Sequence, residues 1–251
     1  MKNQYIADIG DYGKYGLLLY LAEQGIKIGV NWYLTKDDEP GFKQHTKYLK
    51  DKNIAMREYN PALYDLMKDL NEQRDSKKLC IQMVEDSSLF PGFSFYHEIL
   101  KTDELPTKER EAARKQWHKN ALEMLKDTDL VFADPDNGLS KNMKASKQGS
   151  QKYILPCEIE AYFQDKKDIV YYHHRPRKNE EEWMKDKKIM EKLSGAKLLA
   201  VSAHRWINRA YIFVVHEERY EKYKALIDSF LASEWGTLRV DRKNFFTEEP
   251  I

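Results

Sequence analysis

Asp134-Pro135-Asp136-Asn137-Gly138 follows directly on the apolar run Leu130-Val131-Phe132-Ala133, so a buried strand ends in two carboxylates and a turn. Strands of α/β proteins end this way where they deliver side chains into a crevice at the carboxyl edge of the sheet. A carboxylate pair there can position water, hold a divalent cation such as Mg²⁺ or protonate a leaving group. The same residues also suit an Asx turn closed by a glycine. A second cluster, His173-His174-Arg175-Pro176-Arg177-Lys178, ends another apolar run, and a third, His204-Arg205, lies between two more. Asp134, Asp136, His173 and His174 are therefore the candidate catalytic residues. Strand alternation sends His173 and His174 to opposite sides, so an ideal strand brings at most one of them into the crevice.

Asn137, Arg175, Arg177, His204, Arg205 and Lys14 are the candidate substrate contacts. Arg175, Arg177, Lys178, Arg205 and Arg209, with Lys141, Lys144, Lys147 and Lys152, form an expected basic rim around an acidic centre, a layout suited to a polyanion. A solvated charged surface would read the same way. Lys14 lies near Asp8 and Asp11 on the first helix, where Gly10-x-x-Gly13-x-x-Gly16 matches neither the P-loop nor the dinucleotide fingerprint. Close packing is the expected task of those glycines. The histidines lack metal-binding spacing, which argues against zinc.

Positioning these groups requires an alternation of helices and strands, and the chain supplies it. A buried helix is expected over Gly13 to Gln24 with Asp11 as its cap, then a strand over Ile26 to Leu34. Further helices are expected from Pro61 to about Arg74, Thr107 to Lys126, Pro156 to Gln164, Asn179 to Glu191 and Glu217 to Leu231. Leu79 to Val84 is a short apolar run, and strands are expected at Leu130 to Ala133 and Asp168 to Tyr172. Lys197 to Ser202 and Ala210 to Val215 are close enough to pair antiparallel. The fold class is α/β: a Rossmann-like, mostly parallel sheet with helices on both faces and a C-terminal antiparallel strand pair. One domain is expected over residues 1–251, with a mobile basic loop at about 139–152.

The 251 residues carry a formal charge of only +1 although 33% are charged, so anion binding must be local rather than a property of the whole surface. Cys80 and Cys157 are too few for a disulfide framework and read as core residues. No leader or membrane-spanning run is evident, which suggests a cytoplasmic protein.

The order of elements resembles a class I methyltransferase, and more narrowly the bacterial 23S ribosomal RNA adenine-N6 methyltransferases. The resemblance is carried by Gly10 to Leu19, Ile26 to Leu34 and Asp134-Pro135-Asp136-Asn137, the last at the place of a DPPY motif. It implies S-adenosylmethionine as cofactor and a flipped base as substrate, with Asp134 the matching motif residue. Two positions depart from it: Tyr33 to Asp38 replaces the glycine-rich cofactor turn, and Asn137 replaces the stacking aromatic of DPPY. The residues read on their own favour a hydrolytic enzyme acting on a nucleic acid or nucleotide, at a phosphodiester or an N-glycosidic bond. A base N-methyltransferase and a noncatalytic nucleic-acid-binding module are the alternatives.

Overall fold

A seven-stranded sheet in the order β2-β1-β3-β4-β6-β5-β7 organises the chain in a computed structural model. The structure describes residues 1–37, 45–74, 76–175, 179–205 and 208–251, the side chains of residues 51 and 52 excepted. In chain order the elements are α1 (Ile9–Glu23), β1 (Ile28–Asn31), α2 (Pro61–Gln73), α3 (Gln82–Glu85), β2 (Ser94–Tyr96), α4 (Thr107–Met124) and β3 (Leu130–Ala133). There follow α5 (Pro156–Gln164), β4 (Asp168–His174), α6 (Glu180–Lys187), β5 (Ala196–Ala203), β6 (Arg209–His216), α7 (Tyr220–Ala232), α8 (Glu234–Thr237) and β7 (Phe246–Glu248).

The first four strands are parallel, and the rest join by antiparallel pairings of β4 with β6, β6 with β5 and β5 with β7. The α/β class and the antiparallel pair follow the expectation. The antiparallel part is one strand larger, because Phe246–Glu248 adds β7 at the edge. The strand order turns back between β1 and β3, which opens a crevice at their carboxyl ends. Antiparallel β6 begins at that same edge, with Arg209 in register with His174.

Alternation along the strands divides the core into two layers. Leu130, Phe132 and Val170 pack on one side with residues of α1, α2 and α7, while Val131, Ala133, Ile169 and Tyr171 pack on the other with residues of α4 and α5. β3 is therefore buried on both faces, as its unbroken apolar sequence requires.

Local chemistry corrects several expected boundaries. α1 starts four residues earlier than expected because Asp8, not Asp11, is its cap: the Asp8 carboxylate accepts from the Gly10 amide at 2.7 Å. Asp11, now inside the first turn, turns inward. Ile81 to Glu85, at the end of the short apolar run, coils into α3 and its turn. Ser94–Tyr96, too short for a clear pattern, forms β2 against β1. Cys80 is only partly buried and Cys157 is exposed, so neither belongs to the core.

The 139–152 segment, the basic loop of the sequence, is hydrogen-bonded to its neighbours. The Asp103 carboxylate accepts from the Gly149 amide, the Ser150 hydroxyl donates to the Ala145 carbonyl, and Arg114 donates to the Ser150 and Tyr153 carbonyls. Arg114 is in turn fixed by Glu158, whose carboxylate accepts from it at 2.7 and 2.9 Å. Its short helical turn at 150–152 holds the Lys152 carbonyl where the Asn137 amide donates to it at 2.9 Å.

Gly138 occupies the left-handed region at φ 88°, and a Cβ there would lie 2.8 Å from the backbone of His173. Both facts demand glycine. Gly138→Ala is expected to lower unfolding free energy by about 2–3 kcal/mol, from left-handed strain and overpacking together, in a urea titration.

Candidate active site

Asp134 sits one residue past β3, its amide donating to the Asn31 carbonyl at the end of β1 (3.0 Å). Its carboxylate is buried and accepts from the Lys14 ammonium at 2.5 Å. Lys14 lies one turn along α1 from Asp11, which takes a second contact from the same ammonium at 2.7 Å. One buried cation thus bridges two buried carboxylates from different elements. The ammonium also lies over the rings of Tyr15 and Trp32 at 5.3 and 5.4 Å.

Lys14, Asp11 and Asp134 line a cleft of about 400 Å³ at the carboxyl edge of the sheet. Its walls come from the start of the chain and α1, the Asp134 to Asn137 turn, Lys152, the ends of β4 and β6, and His45. Of the expected site residues, Asp134, Asp136, Asn137, His174 and Lys14 meet there. Three further groups join them that the sequence reading did not place in the site. The α-amino group of Met1 donates to the Asp134 carbonyl at 2.8 Å and pairs with the Asp136 carboxylate at 3.0 Å. Asp11 lines the cleft beside Lys14. Arg209, expected only in the outer rim, lies across Gly10 and pairs with Asp8 at 3.2 Å. A Cβ at position 10 would strike that guanidinium at 2.6 Å, and at positions 13 and 16 it would strike Phe245 and Trp235, so the glycine spacing does serve close packing.

The electrostatics follow from burial and pairing. Burial raises the Asp11 carboxyl to about 6 against the opposing pull of Lys14. Burial alone would lower the Lys14 ammonium, but Asp11 and Asp134 hold it well above the ordinary lysine value, so it stays charged. His174 is pushed below the usual histidine value by desolvation and by Arg209, which keeps its imidazole neutral near pH 7. Its Nδ1 is 3.2 Å from the Tyr172 hydroxyl, itself raised to about 12 by burial.

The remaining expected residues go elsewhere. His173 points to the opposite face, where its Nδ1 accepts from the Leu139 amide at 3.0 Å and its ring stacks on Trp183. It supports the turn rather than entering the cleft, as strand alternation dictates. Arg175 turns toward α6, paired with Glu180 at 2.5 Å and lying over Trp183. Arg205 is buried, donating to the Val240 carbonyl at 2.7 Å, to the Lys243 carbonyl and to the Tyr59 hydroxyl at 3.0 Å; it ties down the turn at 240–243. His204 contacts the Thr247 hydroxyl at 2.6 Å and faces a separate cavity with Asn208 and Lys243. Arg177 and Lys178 lie outside the described residues. Among the described residues, the lysines and arginine that line the cleft are Lys2, Lys14, Lys152 and Arg209, while Arg175 and Arg205 lie away from it.

Among the described residues, no group of three His, Cys, Asp or Glu side chains is arranged to hold a metal ion. Asp134 and Asp136 face ammonium groups instead. Trp32, Tyr33, Leu34 and Thr35, which follow β1 where the family resemblance would place a cofactor turn, are buried. The indole of Trp32 donates to Glu85 at 2.6 Å and stacks on Phe95. Residues 32–35 do not offer the open, glycine-lined amides that S-adenosylmethionine requires. Residues 38–44 lie outside the described part of that connection.

Fold and site together define an α/β protein with a Rossmann-like sheet and a charged cleft at its carboxyl edge. No family model matches the chain, and no curated protein matches it. Among solved structures it is similar to a Legionella pneumophila protein described by the family model DUF519, at 14% identity and a TM-score of 0.43, over 98% of this chain and 97% of that one. Among the described residues, no helix is long and apolar enough to cross a membrane.

The sign of the Asp11 shift fixes a pH dependence. Its folded-state value, about 6, lies above its ordinary 3.8, so the native state holds more protons between those limits. Stability from this group therefore falls as pH rises from about 4 to about 6 and stays level above that. Asp11→Asn is expected to remove this component, so its stability relative to wild type is greater at pH 7 than at pH 4, by urea midpoints at each pH.

Proposed function

We propose that the cleft is the active site of an enzyme that hydrolyses a bond in a nucleotide or nucleic acid. The observation that carries this reading is the gathering of buried carboxylates, a neutral imidazole and the cations Lys2, Lys152 and Arg209 around one cleft of about 400 Å³. Lys152 and Arg209, which line the cleft, supply positive charge for phosphate oxygens. Asp134, paired with Lys14, faces the reacting centre and stabilises positive charge or orients water there. Asn137 donates and accepts at the base or sugar edge, and the exposed His174 exchanges a proton with the leaving group. Tyr172 and Tyr211 add aromatic surface to the same wall.

A second reading is a base N-methyltransferase, favoured by one observation: antiparallel β6 lies between β4 and parallel-running β5, in keeping with the class I methyltransferase resemblance. The packed residues after β1 speak against it.

Purified protein incubated with nucleosides, nucleotides and single-stranded oligonucleotides is expected to release a hydrolysis product detectable by liquid chromatography. Asp134→Asn is expected to reduce that rate by about 100-fold or more, while circular dichroism shows the fold retained. Failure of every substrate to turn over, together with micromolar S-adenosylmethionine binding by calorimetry, would replace this reading with the second one.

A further inference from the structure

We propose that the cleft continues past Asn137 and His174 into a second hollow that takes the neighbouring nucleotide of a chain, so that the substrate is an oligonucleotide rather than a free nucleotide. This inference rests on the hydrolytic reading above. Asn137 and His174 line both the cleft and a second cavity of about 400 Å³, so the two spaces meet at the turn after β3 and the end of β4. Each is large enough for a small-molecule unit. His174, exposed, stands on the wall common to both.

Backbone hydrogen bonds build the wall of the second hollow. Leu139 and Ile154 form an isolated parallel bridge, in which the Ile154 amide donates to the Gly138 carbonyl at 3.0 Å and the Ser140 amide to the Ile154 carbonyl at 3.3 Å. Tyr153 is fixed on both sides of its own residue: its amide donates to the Ser150 carbonyl at 3.0 Å, and its carbonyl accepts from Arg114 at 2.6 Å. Its partly buried side chain lines the hollow from that ordered backbone. Less freedom is lost when a base stacks on a ring presented in this way.

The lining suits a nucleobase better than a phosphate. Leu139 and Ile189 give apolar surface, Tyr153 an aromatic ring, and Ser140 and Asn142 the hydroxyl and carboxamide groups that pair with a base edge. Asp186 puts negative charge on the same wall, which repels a phosphate. Lys152 lines the first space and the exposed Lys141 the second, so the phosphates of a bound chain meet a lysine on each side of the shared wall. A mononucleotide seated beside Asp134 leaves the second lining bare, whereas a chain covers both.

The experiment is calorimetric titration of the whole protein with mixed-sequence mono-, di- and trinucleotides, in ribo and deoxy form, and with inorganic tripolyphosphate, while turnover is followed separately by chromatography. Expected is an affinity about tenfold or more higher for a dinucleotide than for a mononucleotide, the gain from one stacked base. Tyr153→Ala should remove most of that gain. Lys141→Glu, at an exposed position, should weaken oligonucleotide binding and flatten its salt dependence, and both changes should affect the mononucleotide less than the chain. Equal affinity for mono- and oligonucleotides overturns the second subsite, and turnover of a mononucleotide then leaves the hydrolytic reading standing. Tripolyphosphate binding as tightly as a trinucleotide also overturns it, because phosphate alone then accounts for the affinity. So does a chain-length gain that survives both substitutions, which puts the second unit elsewhere. If Tyr153→Ala fails to fold, Lys141→Glu and the chain-length series decide. A chain-length gain lost in both variants, with no hydrolysis product from any ligand, keeps the oligonucleotide subsite and removes the hydrolytic reading.

Discussion

The Lys14 ammonium, held between Asp11 and Asp134, is the interaction on which the arrangement of the cleft depends. Each carboxylate is taken out of water by folding, and neither would tolerate burial as an unpaired charge. A single cation satisfies both only if α1 and the turn after β3 are brought to within one ammonium's reach. That requirement ties the first helix to the third strand across 120 residues of sequence. The Tyr15 and Trp32 rings beside the ammonium replace part of the hydration it gives up.

The same pair of elements is then positioned by its neighbours. Asp8 caps α1, accepts from the His45 amide at 3.1 Å and receives Arg209, so the helix start is fixed from three directions. The turn carrying Asp134 to Gly138 is fixed by the Asn31 carbonyl, the Lys152 carbonyl and the imidazole of His173. Behind Lys152, the buried Arg114 and Glu158 pair anchors residues 150–155. The turn is therefore held in place by the protein's own hydrogen bonds on both sides.

What could be read from the sequence divides along this line. Groups that follow strands were legible, because parallel strands deliver their ends to one edge: Asp134, Asp136, Asn137 and His174 needed only a strand assignment. The long helices and the β5 and β6 pair were legible from length and apolar pattern. The partner side chains were not. Asp11 read as a helix cap because Asp8 and Asp11 are equally good caps by residue type, and only the packing of His45 and Arg209 selects Asp8. The Met1 amine carried no motif. Arg205 and Arg175 read as rim cations, since a guanidinium that ties backbone carbonyls or stacks on an indole has the same sequence signature as one facing solvent.

The end of β4 shows how one strand can serve both sides of the site. His173 and His174 are chemically alike, and alternation gives them opposite environments. His173 faces the layer containing Trp183, and its Nδ1 is spent on the Leu139 amide, which keeps the turn after Gly138 in place. His174 faces the cleft, exposed and neutral, with Arg209 in register on β6 beside it. Shifting β4 by one residue against β3 would exchange the two imidazoles and also move Tyr172 out of the cleft wall. The apolar residues Ile169, Val170 and Tyr171, buried on their respective faces, prevent that shift. The core of the sheet thus decides which histidine faces the cleft, although the packing that does so lies away from it.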